Sequence, residues 1–434
     1  MKKTFRPWQV DQSLLLPPSV HEFVPPGHVA HFVRDLVREE LDLSAILEDY
    51  DEARGQPPYD PWMMTALLLY GYAQGLYSSR RLARACEERL DFLAVTALNK
   101  PDFRTISDFR RRHLSALAAL FVQVLRLCRK AGLVTLGHVA LDGTKVKANA
   151  SKHKAMSYAR MTKAQADLSA EVSGWLEAAE AADAQEDGAF GADRRGDEMP
   201  GWVADKQKRL EKIAEAKAAL EAEAKSEAEA KAKTPPKYRG GRKPKTPPGT
   251  PKDSAQRNFT DPESRIMKSK DGFIQGYNAQ AAVDAAHQVI VAHGLTANAS
   301  DQGQLVALVD AIKANTGRKP REVSADTGYC SEANLEALEQ RRIRGYIATG
   351  RQKHPDGGDA KKRGPRVEAM RRRLTRAGHR SRYRLRKQLP EPVFGQIKQA
   401  RGFRQFLLRS LHKVTAEWAM LCTAHYILKL ANAP

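Results

Sequence analysis

Cysteine is scarce in this chain and nowhere paired: Cys86, Cys128, Cys330 and Cys422 are the four among 434 residues. Such spacing excludes a cysteine-based zinc site or a disulfide framework and predicts buried, reduced thiols. Long apolar runs are missing as well. The stretch MTALLLYGYAQGLY at 64–77 falls short of the roughly 20 residues a membrane-spanning helix needs, so it reads as an ordinary buried helix. The N-terminal MKKTFRPWQVDQSLLLPP lacks a continuous apolar segment of secretory type, and a cytoplasmic protein is expected. Negative charge is also in deficit. Against 72 Lys and Arg stand 51 Asp and Glu, a formal net charge of +21, and the pI is near 9.8. That excess implies a polyanionic partner, nucleic acid before anionic membrane.

What is present divides the chain into contrasting textures. Residues 1–132 carry apolar residues at helical spacing in DPWMMTALLLYGYAQ, SSRRLARACEERLDFLAV and TISDFRRRHLSALAALFVQVLRLCRKAG. Thr105 followed three residues later by Asp108 suits a capping box. A β-branched strand, HVALDGTKVKAN at 138–149, comes next and opens a core segment at 133–151. Residues 152–262 then read as an insertion: a long helix or helical hairpin rich in Ala, Glu and Lys, closed by a loop rich in Pro, Gly and Lys. The core resumes over 263–434, with strands in GFIQGYNAQAAVD and HQVIVAHGLTA, a helix with Asp301 near its start, a strand in REVSAD, a helix, a strand in GYIAT, and final helices from about 391. Without the insertion the order is β-β-β-α-β-α-β-α, an α/β fold with a mixed sheet and flanking helices behind an all-α N-terminal region.

Asp142 stands in the middle of an apolar strand, where a carboxylate costs stability unless it is paired or metal-bound. Asp326 ends the fourth strand, which is expected beside the first, so the two carboxylates converge at a sheet edge of the kind that holds sites in open α/β folds. Glu391, followed by Pro392, sits at a helix start. Three carboxylates without His or Cys suit Mg²⁺ or Mn²⁺, two ions clamping a phosphodiester displacement. Taken singly, Asp326 also reads as a turn or cap residue and Glu391 as a helix-start residue; Asp284, Asp301, Asp310, Glu368 and Glu417 are competitors for the set. From Lys361 to Lys413, 18 Lys or Arg face two acids, which reads as a phosphate-binding surface around Glu391. On the N-terminal helices Arg80, Arg81, Arg110 and Arg111 are placed to enter a DNA groove. Lys145 and Lys147 alternate away from the Asp142 face and are assigned to DNA phosphate or the solvated strand end.

The phrases ALDGTKVKANAS, GYNAQAAVD, ADTGYCSEANL and EPVFGQIKQARGFRQFLLRS, in this order, resemble the DDE transposases of bacterial insertion sequences, in particular the group numbered eleven eighty-two. LLPPSVHEFVPPGHVAHFV, YDPWMMTALLLYGYAQG and PDFRTISDFRRRH are similar to that group too. The resemblance implies an RNase H-like core with catalytic, metal-holding Asp142, Asp326 and Glu391. Double-stranded DNA is then the substrate, at terminal inverted repeats and at a target, with a homodimer acting on paired ends. Related enzymes carry a Tyr-Arg-Glu-Lys signature. Lys398 keeps its spacing from Glu391, and Tyr383 and Arg386 are three apart, but Arg386 lies five residues before Glu391 where the signature has four. Lys387 has that offset with the other cation, and the two are not equivalent at a bidentate phosphate contact. Tyr383, Arg386, Lys387, Lys398, Arg401 and Arg404 are accordingly expected at DNA phosphates. Two other readings remain: an RNase H-like nuclease or resolvase without strand transfer, and a transposase-derived DNA-binding protein that has lost catalysis.

Overall fold

The computed structural model describes residues 19–50, 57–190, 201–232, 246–269, 272–350, 364–377 and 382–433. Its N-terminal part is helical: α1 (Val29–Asp35), α2 (Ser44–Leu47), α3 (Pro61–Ala73), α4 (Ser79–Glu88), α5 (Leu90–Val95), α6 (Phe103–Arg112) and α7 (Leu114–Lys130). Local chemistry fixes the starts. Asp60 accepts from the backbone N–H groups of Trp62 and Met63, and Pro61 takes the first helical position of α3. At α6 the cap is Asp102, which accepts from Arg104 N, Thr105 N and Thr105 Oγ1. The expected box from Thr105 to Asp108 does not form, because Thr105 already lies inside the helix and Asp108 pairs with Arg111 at 3.0 Å.

One mixed sheet is built from β1 (His138–Lys147), β4 (Arg265–Ser269), β5 (Gly272–Asp284), β6 (Ile290–Thr296), β7 (Glu322–Ala325) and β8 (Arg344–Ile347). β5 runs antiparallel to β1, from Val139 opposite Asp284 to Lys147 opposite Gly276. Along its other edge β4 and β6 lie end to end, both antiparallel to it. On the far side of β1 come β7 and β8, each parallel to its neighbour. α10 (Leu305–Thr316) and α11 (Glu332–Gln340) make the crossovers that parallel strands require. The first and fourth strands of the expected order are thus neighbours. β4, and the strand pair β2 (Ala155–Ser157) with β3 (Gln256–Asn258), are additions that no alternating pattern announced.

The insertion is a helical hairpin of α8 (Tyr158–Phe190) and α9 (Gly201–Ala232), closed at its base by β2 and β3. It has a small core of its own, Met161, Ile213, Ala216 and Leu220. α12 (Pro365–Ala377), where only a basic stretch was expected, is followed by α13 (Leu385–Gln388), α14 (Pro390–Gly395) and α15 (Leu411–Ala431). The final helix is buried along most of its length: α3, α7 and β6 pack against it, and Trp418 Nε1 donates to the carbonyl of Gln280. N-terminal helices and sheet therefore share one apolar core. No helix among the described residues is long and apolar enough to cross a membrane.

Candidate active site

β1 outruns its parallel partner. Pairing with β7 lasts only from His138 to Ala140, while β1 continues to Lys147 against β5. Past Ala140 that edge of β1 is free of a strand, and α13 and α14 pack there instead. Asp142 lies at this opening, and Asp326 caps the turn that follows β7, accepting from Gly328 N at 2.9 Å. The strand order thus brings the two carboxylates together.

Their environment is short of hydrogen bonds and rich in charge. Asp142 accepts from Gly143 N at 2.9 Å. Burial pushes its carboxyl up to about 6, with Asp326 and Asp301 pushing the same way and the Gly143 N–H and the Arg386 guanidinium opposing. Arg386 is the cation of the cluster: its Nη1 stands 3.9 Å from Asp326 Oδ2, and its buried Nε has no hydrogen-bond partner. Tyr329, fully buried, donates to Gln280; burial first, then Asp301, Asp142 and Asp326, raise its phenol far above the ordinary value.

Asp301, expected near a helix start, precedes α10, which begins only at Leu305, and does not cap it. Its Oδ1 accepts from Asn278 Nδ2 at 2.6 Å and Gln280 Nε2 at 2.7 Å, with Lys145 Nζ at 3.5 Å. These groups close over Gly143, where an added Cβ would lie 2.4 Å from Gln280 Nε2 and 2.7 Å from Asp301 Oδ1. Glycine beside Asp142 is therefore dictated by packing.

Glu391 stands apart from this group. It lies in the first turn of α14, a helix packed on β1, with its side chain exposed. Among the described residues no three His, Cys, Asp or Glu side chains form a group that could hold a metal ion. The donor set nevertheless fits a hard divalent cation: carboxylate oxygens, one of them largely buried, with the Arg386 guanidinium nearby as counter-charge. Glu417 is removed from the contest, since it is fully buried and accepts from the backbone N–H groups of Leu407 and Leu408.

The basic residues divide sharply. Arg110 does not face a groove as expected: its guanidinium is buried, donating to Tyr77 O and Ser79 Oγ. Arg401 is turned inward too, against Gln396 O and His425 Nδ1. Lys398 seals the open edge of β1 through Thr144 Oγ1 at 2.5 Å and Lys145 O at 2.7 Å, and Lys145 is bound to Ala299 O. Arg80, Arg81, Arg111, Lys147, Lys387 and Arg404 are exposed, and Tyr383 is half-buried, its ring beneath Arg386. Phe103, which the sequence reading passed over, is exposed between Arg80 and Arg104, with the guanidinium carbons 5.1 and 5.6 Å from the ring centre.

Residues 18–112 match the family described as Transposase domain (DUF772), and residues 242–427 match the Transposase DDE domain. No curated protein and no solved structure matches the chain. Asp142 falls between the two matched segments, yet its strand is hydrogen-bonded along its length to β5 of the second. The helical hairpin of α8 and α9 also lies in this gap and parts β1 in sequence from the sheet that β1 completes. With a transposase domain ahead of that strand and a DDE domain behind it, the chain belongs to the DDE-type transposases and is an enzyme.

Proposed function

We propose that this transposase binds the terminal inverted repeats of an insertion sequence of group eleven eighty-two, cuts the DNA there, and joins the freed 3′ end to a target. The observation that carries this reading is the meeting of Asp142 and Asp326 at the open edge of β1. The strand order β6-β5-β1-β7-β8, antiparallel on one side of β1 and parallel on the other, supports an RNase H-like core. In this reading Asp142, Asp326 and Glu391 hold two Mg²⁺ ions. When bound, such ions neutralise developing charge on the attacking and leaving oxygens.

The chain's own work is positioning. β1 holds Asp142 on a rigid element, and the Gly328 N–H orients Asp326. The exposed Arg80, Arg81, Arg111, Lys147, Lys387 and Arg404, with Arg386 and Tyr383 at the site, supply phosphate contacts. Residues 1–132 serve as the end-reading part, 133–151 with 263–434 as the catalytic part, and 152–262 as an insertion between them. Paired ends call for a homodimer on DNA, acting in the cytoplasm.

A cleavage assay on duplexes carrying the inverted repeat, followed by a joining assay on a pre-cut end, tests the proposal. Wild type should cut and join with Mg²⁺ or Mn²⁺, and Asp142→Ala, Asp326→Ala and Glu391→Gln should lose both activities. Cutting without joining would point to a nuclease. Full activity in Glu391→Gln would remove Glu391 from the ligand set.

A further inference from the structure

The apolar side of α6 changes its surroundings along the helix. Ile106 and Phe109 are buried in the core, whereas Phe103, three residues before Ile106 and on the same side, is exposed. The ring does not cap the helix either, since Asp102 does that. What surrounds it is cationic. The guanidinium carbons of Arg80, on α4, and of Arg104 lie 5.1 and 5.6 Å from the ring centre, within cation–π distance. On the same two helices Arg84 is held by Glu88 and Arg111 by Asp108. Arg80 and Arg104 form no ion pair among the described residues, and Arg81 and Lys100 are exposed as well. Asp102, the one acid between residues 100 and 104, has its carboxylate engaged by Arg104 N, Thr105 N and Thr105 Oγ1. An apolar ring framed by uncommitted positive charge is complementary to DNA. Guanidiniums grip phosphates, which every sequence offers, while a phenyl ring has nothing to give a phosphate and makes its contact at a base.

We propose that Phe103 is a base-contacting residue of the end-reading surface, its ring set against a base of the terminal inverted repeat while Arg80 and Arg104 hold flanking phosphates. The inference rests on the reading that residues 1–132 bind that repeat. It divides the labour within the patch: the arginines supply affinity for any duplex, and Phe103 supplies discrimination between sequences.

The test is fluorescence anisotropy of the full chain, without divalent metal, on two labelled duplexes across a salt series. One duplex carries the element's inverted repeat and the other the same bases in scrambled order. Wild type should prefer the repeat. Phe103→Ala should lose about tenfold of that preference, through weaker binding to the repeat alone, with the salt dependence of wild type. Arg80→Gln and Arg104→Gln should each weaken binding to both duplexes and lower the log–log salt slope by about 1. Phe103→Gln, which keeps bulk without the ring, serves if Phe103→Ala does not fold. Undiminished preference in the Phe103 variants overturns the proposal, because the ring then reads nothing. An equal loss on both duplexes overturns it too, since Phe103 would then be a general contact to DNA. If wild type itself binds the two duplexes alike, the end-reading role of residues 1–132 falls, and the proposal falls with it.

Discussion

Two regions of this protein bury a carboxylate, and they treat it in opposite ways. On α15, Glu417 is fully buried, and burial pushes it up to about 7, against the two backbone donors at Leu408 and Leu407 and the nearby Arg110. At the edge of β1, Asp142 is raised to about 6 by burial too, but its neighbours are two more carboxylates and it accepts only from its own following residue. Burial raises both acids. What separates scaffold from site is satisfaction: Glu417 joins the chain at 407–408 to the central helix, while Asp142 belongs to a cluster with excess negative charge and an open side. The same distinction sorts the arginines, since Arg110 is spent on Tyr77 and Ser79 whereas Arg386 keeps a buried N–H unused.

The comparison breaks most visibly in stability. Glu417→Ala empties a fully buried site and removes the acceptor of the Leu407 and Leu408 N–H groups, and should cost about 3 kcal/mol in urea unfolding. Asp142→Asn should go the other way: it relieves like-charge repulsion in metal-free protein and should raise the unfolding free energy by about 1 kcal/mol at pH 8. Destabilisation by Asp142→Asn as large as that by Glu417→Ala would erase the distinction between the two regions.

A pH series sharpens it. The folded state holds the Glu417 proton more tightly than the unfolded chain does, so the stability from that group is fully present below its ordinary value of 4.5 and is lost as pH rises through about 7. Between pH 5 and pH 8 wild type should therefore lose about 2 kcal/mol that Glu417→Gln does not lose, read as the difference between their urea midpoints. Equal pH slopes in the two proteins would show that Glu417 does not titrate in this range.

A smaller effect concerns Arg386. Its guanidinium competes with a metal ion for the same carboxylates, so Arg386→Gln should tighten Mn²⁺ binding roughly threefold to tenfold in the absence of DNA. If Arg386 contacts DNA phosphate as proposed, the same variant should weaken binding to an inverted-repeat duplex. A variant that binds Mn²⁺ more weakly would instead make Arg386 part of what holds the carboxylates in place.

The sequence showed the strand order and the convergence of Asp142 and Asp326 because both follow from local pattern: alternation sets the faces of a strand, and crossover helices force parallel neighbours. Asp301 is legible in the sequence only as one competitor among several carboxylates, because its surroundings depend on Asn278 and Gln280, which lie on another strand. Arg110 misled in a similar way, since an arginine on an amphipathic helix looks the same whether the partner across from it is DNA or the Tyr77 carbonyl. The cap of α6 lies three residues before the expected one, at Asp102 and not Thr105, because both residues are good cap formers and only the chain direction before the helix decides between them.

Cation binding at the open edge of β1 is the central claim, and Mn²⁺ titration of the DNA-free protein tests it most directly. Wild type and Glu417→Gln should bind alike, and a chain carrying both Asp142→Asn and Asp326→Asn should not bind. If that double variant retains wild-type affinity while folded, the edge of β1 is not the metal site.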